Sequence, residues 1–341
     1  MTPAPAKVLA PDARLHAKLG ASAALGPPPA PAEEEEAAAA SERGPAAGAG
    51  PHGRSGSLAG PPAQVAAVST RSAAVALSEL RMRYDRDGFV FPLCGLSGGQ
   101  VAEALAGFKR FEEQHWSRVD DGGATIMNHT WLPWLRDLAK HTAIVRAVCQ
   151  ALRTENVLLY NSQLLTRPPG TSQRTHMGVG WHIDADPLYS RLAPMDRRHW
   201  VTAFVALTVC YRQQGCLQAK RTGRCGKVDD EEEVVDLELL PGEFSLHGPS
   251  TPHTGGLNTS EQTRYCVALR YIRASTRDDY AEVLGKDMAL LVSGKDRYQH
   301  FEAMPELPGE ATEEGRILRE GIMQHRRMGP SSCARHGMVC A

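Results

Sequence analysis

The segment Trp181-His182-Ile183-Asp184 contains two metal-binding residue types separated by a single residue. Because successive side chains of a strand alternate between its two faces, a strand here would point His182 and Asp184 to the same side. One imidazole and one carboxylate are two of the three ligands in a non-haem iron site of the two-His, one-carboxylate kind. His-x-Asp also arises often by chance, and a surface His and Asp in a loop is the alternative unless a second histidine joins them.

Two histidines in the later part of the chain compete for the third position, His247 and His253. Gly-Gly and Asn-Thr-Ser clusters follow His253 and predict a turn, and the stretch Tyr265 to Ile272 predicts a strand. A hairpin centred near Asn258-Thr259 would set His253 opposite Arg264 across one ladder. The guanidinium of Arg264 would then suit the distal carboxylate of 2-oxoglutarate. We therefore expect His182, Asp184 and His253 to bind Fe(II), with positions left for the keto acid and O2.

The composition limits the other functions that the chain can have. Its 341 residues are 42% hydrophobic and 23% charged with a formal net charge of -1, which predicts no basic face for nucleic acid. No apolar run is long enough to span a bilayer. The first 26 residues lack a continuous apolar segment, and the eight cysteines form no CxxC pair. These features favour a reducing compartment and a cytoplasmic location, and organellar targeting by the N-terminal tail stays open.

Three regions differ in composition. Residues 1–72 are rich in Ala, Pro and Gly with an acidic run at Glu33 to Glu36, which is typical of a disordered tail. Residues 73–305 have the patterning of a folded domain, and we expect the oxygenase chemistry there. Residues 306–341 predict a helix, Glu310 to Arg327, followed by a tail.

Periodicity predicts helices first and strands later. The predicted helices are Ala74 to Tyr84, Gln100 to Trp116 and Ala143 to Leu152, and the predicted strands are Val157 to Tyr160, Val201 to Cys210, Val234 to Leu240 and Tyr265 to Ile272. Because no long helices separate the strands, they indicate an antiparallel sandwich or barrel. The expected fold is mainly β with flanking helices.

Several motifs together resemble the phytanoyl-CoA dioxygenase family, which includes ectoine hydroxylases, from about Leu77 to His300. They are Tyr84-Asp-Arg-Asp-Gly-Phe-Val, Trp134-Leu-Arg-Asp-Leu-Ala-Lys-His, Leu159-Tyr-Asn-Ser-Gln-Leu-Leu, Trp181-His-Ile-Asp, Trp200-Val-Thr-Ala-Phe-Val-Ala-Leu-Thr, Gly215-Cys-Leu, Pro241-Gly-Glu-Phe-Ser-Leu-His, the segment His253 to Ile272, and Tyr298-Gln-His-Phe. The resemblance implies a double-stranded β-helix (a cupin-like jelly roll) with His182, Asp184 and His253 as the iron ligands. It also implies that Arg264 pairs with 2-oxoglutarate and that Asn161 contacts this cosubstrate. His247 then has a structural role.

The chain departs from the family pattern at three places. The stretch after Leu217 lacks the usual Pro-Gly-Ser-His element, which implies a shorter cavity wall or lid. Gly255 stands where a serine commonly helps to hold the keto acid, and Ile183 replaces a usual glutamine and should point away from the metal. Trp181 either lines the substrate side or, as we expect, is buried in the core.

Two functions are consistent with these residues. The first is an Fe(II)/2-oxoglutarate-dependent dioxygenase that hydroxylates a small metabolite or a lipid-like substrate with release of succinate and CO2. Asp184 argues against halogenation, because halogenating relatives replace this carboxylate with a small residue. The alternative is a catalytically silent jelly-roll homologue that acts as a binding or scaffold protein. A silent homologue would be expected to lose its ligands first, and all three residues are present.

Overall fold

The computed structural model of the protein describes residues 77–115, 126–170, 180–185, 191–221, 233–306, 309 and 311–327. The predicted disordered tail, residues 1–72, lies outside them. The helices are α1 Leu77–Asp87, α2 Gly98–His115, α3 Pro133–Ala139, α4 Thr142–Leu152, α5 Ala281–Leu284 and α6 Glu313–Arg327. The strands are β1 Phe89–Cys94, β2 Val157–Arg167, β3 Leu192–Ala193, β4 Trp200–Ala206, β5 Leu217–Lys220, β6 Val234–Leu237, β7 Glu243–His247, β8 His253–Gly255, β9 Arg264–Arg273, β10 Arg277–Asp278, β11 Met288–Ser293 and β12 Glu302–Ala303.

Seven strands form the major sheet, in the order β1-β7-β4-β9-β2-β11-β12. Every pairing in it is antiparallel except that of β11 with β12. Strand β9 lies at the centre, where its residues pair with β4 on one side and with β2 on the other. Thr202 and Asn161 therefore both stand opposite Arg270, and Arg167 stands opposite Arg264.

The minor sheet has the order β6-β5-β8 and lies against one face of the major sheet. Apolar side chains from both sheets fill the space between them, including Phe89, Phe204, Leu217, Leu237 and Cys266. The two sheets thus form the sandwich of a double-stranded β-helix, as expected from the sequence. This inner layer also positions the candidate site, because the site residues of β2, β4, β7 and β9 share the face that carries Phe204 and Cys266.

The helices cover the opposite face of the major sheet. Helix α4 is the most amphipathic part of this layer: Ile144, Val148 and Leu152 recur at four-residue spacing and are fully buried. They pack in one cluster with outward-facing strand residues such as Leu164 and Val267. This helical layer supports the sheet whose other face carries the polar residues. None of the helices in the described ranges is long and apolar enough to cross a membrane.

The predicted elements are present with shifted ends. The helix predicted from Ala74 is described from Leu77, where the described residues begin, and the strand predicted as Val201 to Cys210 is the shorter Trp200–Ala206. Strand β2 is much longer than the predicted Val157 to Tyr160, because a bulge between Leu159 and Asn161 lets it continue to Arg167. Part of the departure after Leu217 falls on residues 222–232, which lie outside the described residues.

Candidate metal and cosubstrate site

Three side chains converge between the ends of the two sheets. One ligand atom each from His182, Asp184 and His253 lie within 4.8 Å of one another, and no other such cluster of His, Cys, Asp or Glu occurs in the described part of the chain. The spacing suits a single metal ion bound by two imidazoles and one carboxylate. The three residues that the sequence singled out are thus brought together.

The backbone explains how His182 and His253 meet. The two residues exchange both hydrogen bonds of an antiparallel bridge, His182 N–H to His253 O at 3.1 Å and His253 N–H to His182 O at 2.9 Å. The segment 180–185 contains this bridge and not a longer strand, and Ala185 N–H donates a further 2.8 Å hydrogen bond to the Pro249 carbonyl oxygen. The expectation of a strand through His182 and Asp184 was therefore too strong, although their side chains do reach the same point.

Each histidine ring has a defined hydrogen-bonding direction. The Nδ1 atom of His182 lies 2.9 Å from the carbonyl oxygen of Gly180, and that of His253 lies 2.9 Å from the carbonyl oxygen of Thr251. Because a carbonyl oxygen only accepts, Nδ1 carries the proton in both rings. The Nε2 lone pairs are left for a metal, with the second ring nitrogen oriented as in most histidine metal ligands.

Burial and charge set the protonation of the ligands. Burial, with a contribution from the neighbouring His247, lowers the pKa of His253 to about 3, so this imidazole is neutral near pH 7. Burial alone would raise the pKa of the Asp184 carboxyl, but the Arg270 guanidinium and the nearby histidines hold it well below its usual range. The site therefore offers a neutral imidazole at His253 and an ionised carboxylate at Asp184 at neutral pH.

Two residues that the sequence did not single out hold Asp184 in place. Thr202 Oγ1 donates a 2.9 Å hydrogen bond to Oδ2, and Arg270 Nη2 donates one of 3.2 Å to Oδ1. Arg270 in turn donates to Gln163 Oε1 at 3.3 Å. Both residues lie within predicted strands, Thr202 in one and Arg270 in another. The pairing of those two strands, which sets Thr202 opposite Arg270, cannot be read from the sequence.

His247, the rejected candidate for the third ligand, also faces inward. Its ring centroid lies 4.5 Å from that of His253, and its Nε2 lies 3.7 Å from Asp184 Oδ2. Both of its ring nitrogens are buried and have no hydrogen-bond partner among the described residues. It is not a member of the three-residue cluster. His247 thus packs directly against two of the three clustered residues.

Arg264 lies on the inner face of the major sheet, although not across a ladder from His253 as we expected. The predicted hairpin across one ladder is wrong: β8, which carries His253, pairs with β5, whereas β9, which carries Arg264, pairs with β2 and β4. His253 and Arg264 come from the two facing sheets. The Arg264 side chain is 3% exposed, lies over the Phe204 ring with its guanidinium carbon 5.7 Å from the centroid, and donates from Nη1 to the carbonyl oxygen of Gly215.

Asn161 and Trp181 are the remaining two residues that the sequence singled out near the site. Asn161 lies on β2 opposite Arg270, at the metal end of the sheet, and its Oδ1 is buried without a partner among the described residues. Trp181 is 45% exposed, with Lys220 Nζ 5.6 Å from its ring, so the expectation of a buried core residue is wrong. Ile183 is 40% exposed.

Comparisons with known proteins agree with this fold. Residues 84–266, more than half of the chain, match the model of the phytanoyl-CoA dioxygenase (PhyH) family. The chain therefore belongs to the phytanoyl-CoA dioxygenase family. A sequence comparison with curated proteins finds no match.

Solved structures of non-haem enzymes are similar to the chain. The nickel complex of the non-heme monooxygenase ThoJ is 25% identical with a TM-score of 0.63, and the match covers 73% of this chain and 97% of ThoJ. CytC3 with Fe(II) and alpha-ketoglutarate is 20% identical with a TM-score of 0.52, covering 68% and 99% of the two chains. The non-heme alpha-ketoglutarate-dependent epimerase SnoN is 22% identical with a TM-score of 0.50, covering 59% and 84%.

Proposed function

We propose that this protein is an Fe(II)- and 2-oxoglutarate-dependent oxygenase that hydroxylates a small-molecule substrate. The observation that carries the proposal is the convergence of His182, Asp184 and His253 within 4.8 Å. Membership of the phytanoyl-CoA dioxygenase family and the similarity to the non-heme monooxygenase ThoJ support the same class of reaction.

The donor set fits Fe(II). Two imidazole Nε2 atoms and one carboxylate form the facial triad of non-haem iron oxygenases, which leaves three neighbouring coordination positions open. Neutral rings and an ionised carboxylate are the protonation states that a metal needs, since a ligand must give up its proton to bind. The carbonyl oxygens of Gly180 and Thr251 fix the tautomers of the two rings before a metal arrives.

The region around Arg264 fits the far end of 2-oxoglutarate. Its Nε is buried without a hydrogen-bond partner, and no carboxylate of the described residues forms an ion pair with the guanidinium. A buried cation in this state calls for an anionic partner. A dicarboxylic keto acid would supply one, and Asn161 is a further polar contact that we assign to the cosubstrate or to the substrate beside it.

In this mechanism the protein's own residues bind the metal and the cosubstrate, orient the ligands and exclude bulk water. When Fe(II), 2-oxoglutarate and O2 are bound, they supply the oxidation of a substrate C–H bond, coupled to decarboxylation of the keto acid to succinate and CO2. Thr202 and Arg270 hold the Asp184 carboxylate in one orientation. The apolar layer of Phe89, Phe204 and Leu217 between the sheets keeps bulk water from the cosubstrate end.

The substrate class is proposed more broadly, as a small metabolite or a lipid-like molecule. The alternative, a silent binding or scaffold homologue, rests on the missing element after Leu217 and on Gly255, which stands where a serine hydroxyl would otherwise contact the keto acid. The glycine at position 255 has a local explanation, because the space beside it is filled by the Arg167 guanidinium. The oxygenase is thus the function that the site supports best.

The test is 2-oxoglutarate turnover. Purified protein supplied with Fe(II), 2-oxoglutarate and O2 is expected to release succinate slowly without a substrate and faster with a suitable one. His182→Ala and Asp184→Ala should release none above background, whereas His300→Ala, a substitution outside the site, should behave as the wild-type protein. Equal succinate from the wild-type protein and from His182→Ala would refute the proposal.

A further inference from the structure

Two arginines of neighbouring strands lie buried side by side. Arg167 of β2 and Arg264 of β9 are partners in the antiparallel register, and their residues are 7% and 3% exposed. The Nε atoms of both side chains are buried with no hydrogen-bond partner among the described residues. No Asp or Glu in that part of the chain forms an ion pair with either of them.

Such a pair is unfavourable unless an anion joins it. Burial and the charge of Arg264 together lower the pKa of Arg167 to about 10, but the side chain remains a cation at neutral pH. Burying an unpaired charge is costly, and two adjacent like charges increase that cost. Arg264 has partial compensation from the Gly215 carbonyl oxygen, the Phe204 ring and a hydrogen bond with the Cys210 thiol. The Arg167 guanidinium has no comparable partner among the described residues.

Gly255 shows where the Arg167 guanidinium points. A Cβ atom added to Gly255 would collide with Arg167 Nη2. The backbone at Gly255 is not left-handed, so the reason for glycine is space and not conformation. Gly255 follows His253 by two residues on β8, and residues at this spacing lie on one face about 6.5 Å apart. The guanidinium therefore reaches from the major sheet to the minor sheet, one strand repeat from a metal ligand.

We propose that Arg167 is a second guanidinium for the distal carboxylate of 2-oxoglutarate, which it binds together with Arg264. This inference rests on the proposed function. A keto acid chelated at the metal would direct its far carboxylate along β8 toward Gly255. There the guanidinium groups of Arg167 and Arg264 can both donate to the carboxylate oxygens. The two cations also make the site selective for a dicarboxylic keto acid over one without a second carboxylate, such as pyruvate.

The main-chain role of Arg167 is separable from this side-chain role. Its carbonyl oxygen accepts a 2.6 Å hydrogen bond from Asn258 Nδ2, and its backbone continues the β2–β9 ladder. Both contacts remain when the side chain is replaced. Arg167→Met keeps the length of the apolar stem and removes the charge, and Arg167→Lys keeps the charge and removes the fork.

The experiment measures keto-acid binding and not turnover. The anaerobic Fe(II) protein is titrated with 2-oxoglutarate and, separately, with pyruvate, and Kd is read from the optical charge-transfer band and by calorimetry. Arg167→Met is expected to raise the Kd of 2-oxoglutarate about 10- to 100-fold, the range for a lost charged hydrogen bond, and to leave that of pyruvate within about twofold. Arg167→Lys should lie between. The control Arg146→Met, at an exposed position of α4, should change neither value.

Gly255→Ala supplies a second route to the same interaction. Its methyl group should displace the guanidinium and weaken 2-oxoglutarate binding although Arg167 is present. The double variant Arg167→Met/Gly255→Ala should bind no more weakly than Arg167→Met, because the two changes remove one shared contact.

The outcomes distinguish a failure of the role proposed for Arg167 from a failure of the proposed oxygenase function. An unchanged Kd of 2-oxoglutarate in Arg167→Met, or equal weakening of 2-oxoglutarate and pyruvate, would overturn the role of Arg167 and leave the proposed function standing. Wild-type protein that binds Fe(II) but no 2-oxoglutarate would overturn both. Additive losses in the double variant would mean that the residues act separately, which also contradicts the proposal.

Discussion

Arg270 Nη2 lies 3.2 Å from Asp184 Oδ1, so the carboxylate of the candidate metal site is held by a cation on the central strand of the major sheet. The same strand, β9, carries Arg264 six residues earlier, and an even separation places both side chains on the inner face. Strand β9 thus carries Arg270, which holds Asp184, near one end and Arg264, the residue proposed to bind the cosubstrate, at the other.

Removing the Arg270 charge is expected to weaken metal binding. Arg270→Met leaves Asp184 with the Thr202 hydroxyl as its hydrogen-bond donor and the more distant His247 ring, and frees the carboxylate to rotate. Loss of an outer contact to a metal ligand typically costs about 10- to 100-fold in metal affinity. Titration of the metal-free protein with Fe(II) under anaerobic conditions measures the change in Kd.

Arg277→Met is the matched control, because Arg277 lies at an exposed position of β10. It should bind Fe(II) as the wild-type protein does. Metal affinity that is equal in Arg270→Met and Arg277→Met would show that Asp184 needs no help from Arg270.

His253 and His247 are expected to differ sharply when each is replaced. His253→Gln removes one of the three clustered ligands and should abolish stoichiometric Fe(II) binding. His247→Gln should retain it with a smaller loss of affinity, since His247 packs against Asp184 and His253 without belonging to the cluster. Metal content after gel filtration distinguishes them. Loss of the metal from His247→Gln alone would assign the distal ligand to His247.

Local patterns in the sequence were sufficient for much of the fold and for the three clustered residues. Helices such as Thr142–Leu152 carry their own periodicity, and β9 is apolar enough to be recognised. His182 and His253 were identified by residue type and motif. In each case the information lies within a few residues of chain, or in a set of motifs that resembles a known family.

What the sequence did not reveal depends on long-range register. Thr202 and Arg270 meet Asp184 only because β4 and β9 pair with Thr202 opposite Arg270. The hairpin predicted between His253 and Arg264 failed for a similar reason: the turn at Asn258 links two different sheets, so β8 pairs with β5 instead. The environment of Gly255 was equally hidden, since it depends on Arg167, which is 88 positions earlier by residue number.

The metal-free protein should lose stability as the pH falls below about 6.5. The pKa of His253 is about 3 in the folded state against an ordinary value of 6.5, so the unfolded chain binds more protons between these values. The contribution of His253 to the free energy of unfolding is then fully present above pH 6.5. It decreases as the pH falls toward 3, by at most about 1.4 kcal/mol per pH unit. Asp184, with its lowered pKa, adds a loss in the same direction only below its usual range.

Urea unfolding in the presence of a chelator, from pH 7.5 to pH 4.5, measures this dependence. His253→Leu should make the free energy of unfolding depend less steeply on pH, because the protonation of one imidazole no longer contributes. His129, whose pKa burial also lowers well below the usual value, is present in both proteins and cancels in the difference. Parallel curves for the wild-type protein and His253→Leu would contradict a neutral, buried His253.

Helix α6 is expected to be attached to the sheets mainly through Arg326. This side chain forms a 2.7 Å ion pair with Asp287, whose side chain is 1% exposed, and donates to the carbonyl oxygens of Tyr160 and Met288. Its guanidinium carbon also lies 3.8 Å from the centroid of the Tyr160 ring. Arg326→Met would leave the Asp287 carboxylate buried without its partner, which typically destabilises a protein by about 3–5 kcal/mol.

Arg327→Met is the control one position further along the same helix, where the side chain is exposed, and it should change the free energy of unfolding by less than about 0.5 kcal/mol. Asp287→Asn provides the reciprocal test: it removes the carboxylate charge that Arg326 would otherwise leave unpaired. If the penalty in Arg326→Met comes from that charge, the double variant Arg326→Met/Asp287→Asn should be more stable than Arg326→Met alone. Urea denaturation of the four proteins beside the wild type measures the differences. A double variant that is less stable than both single variants would show instead that the two residues stabilise α6 through separate contacts.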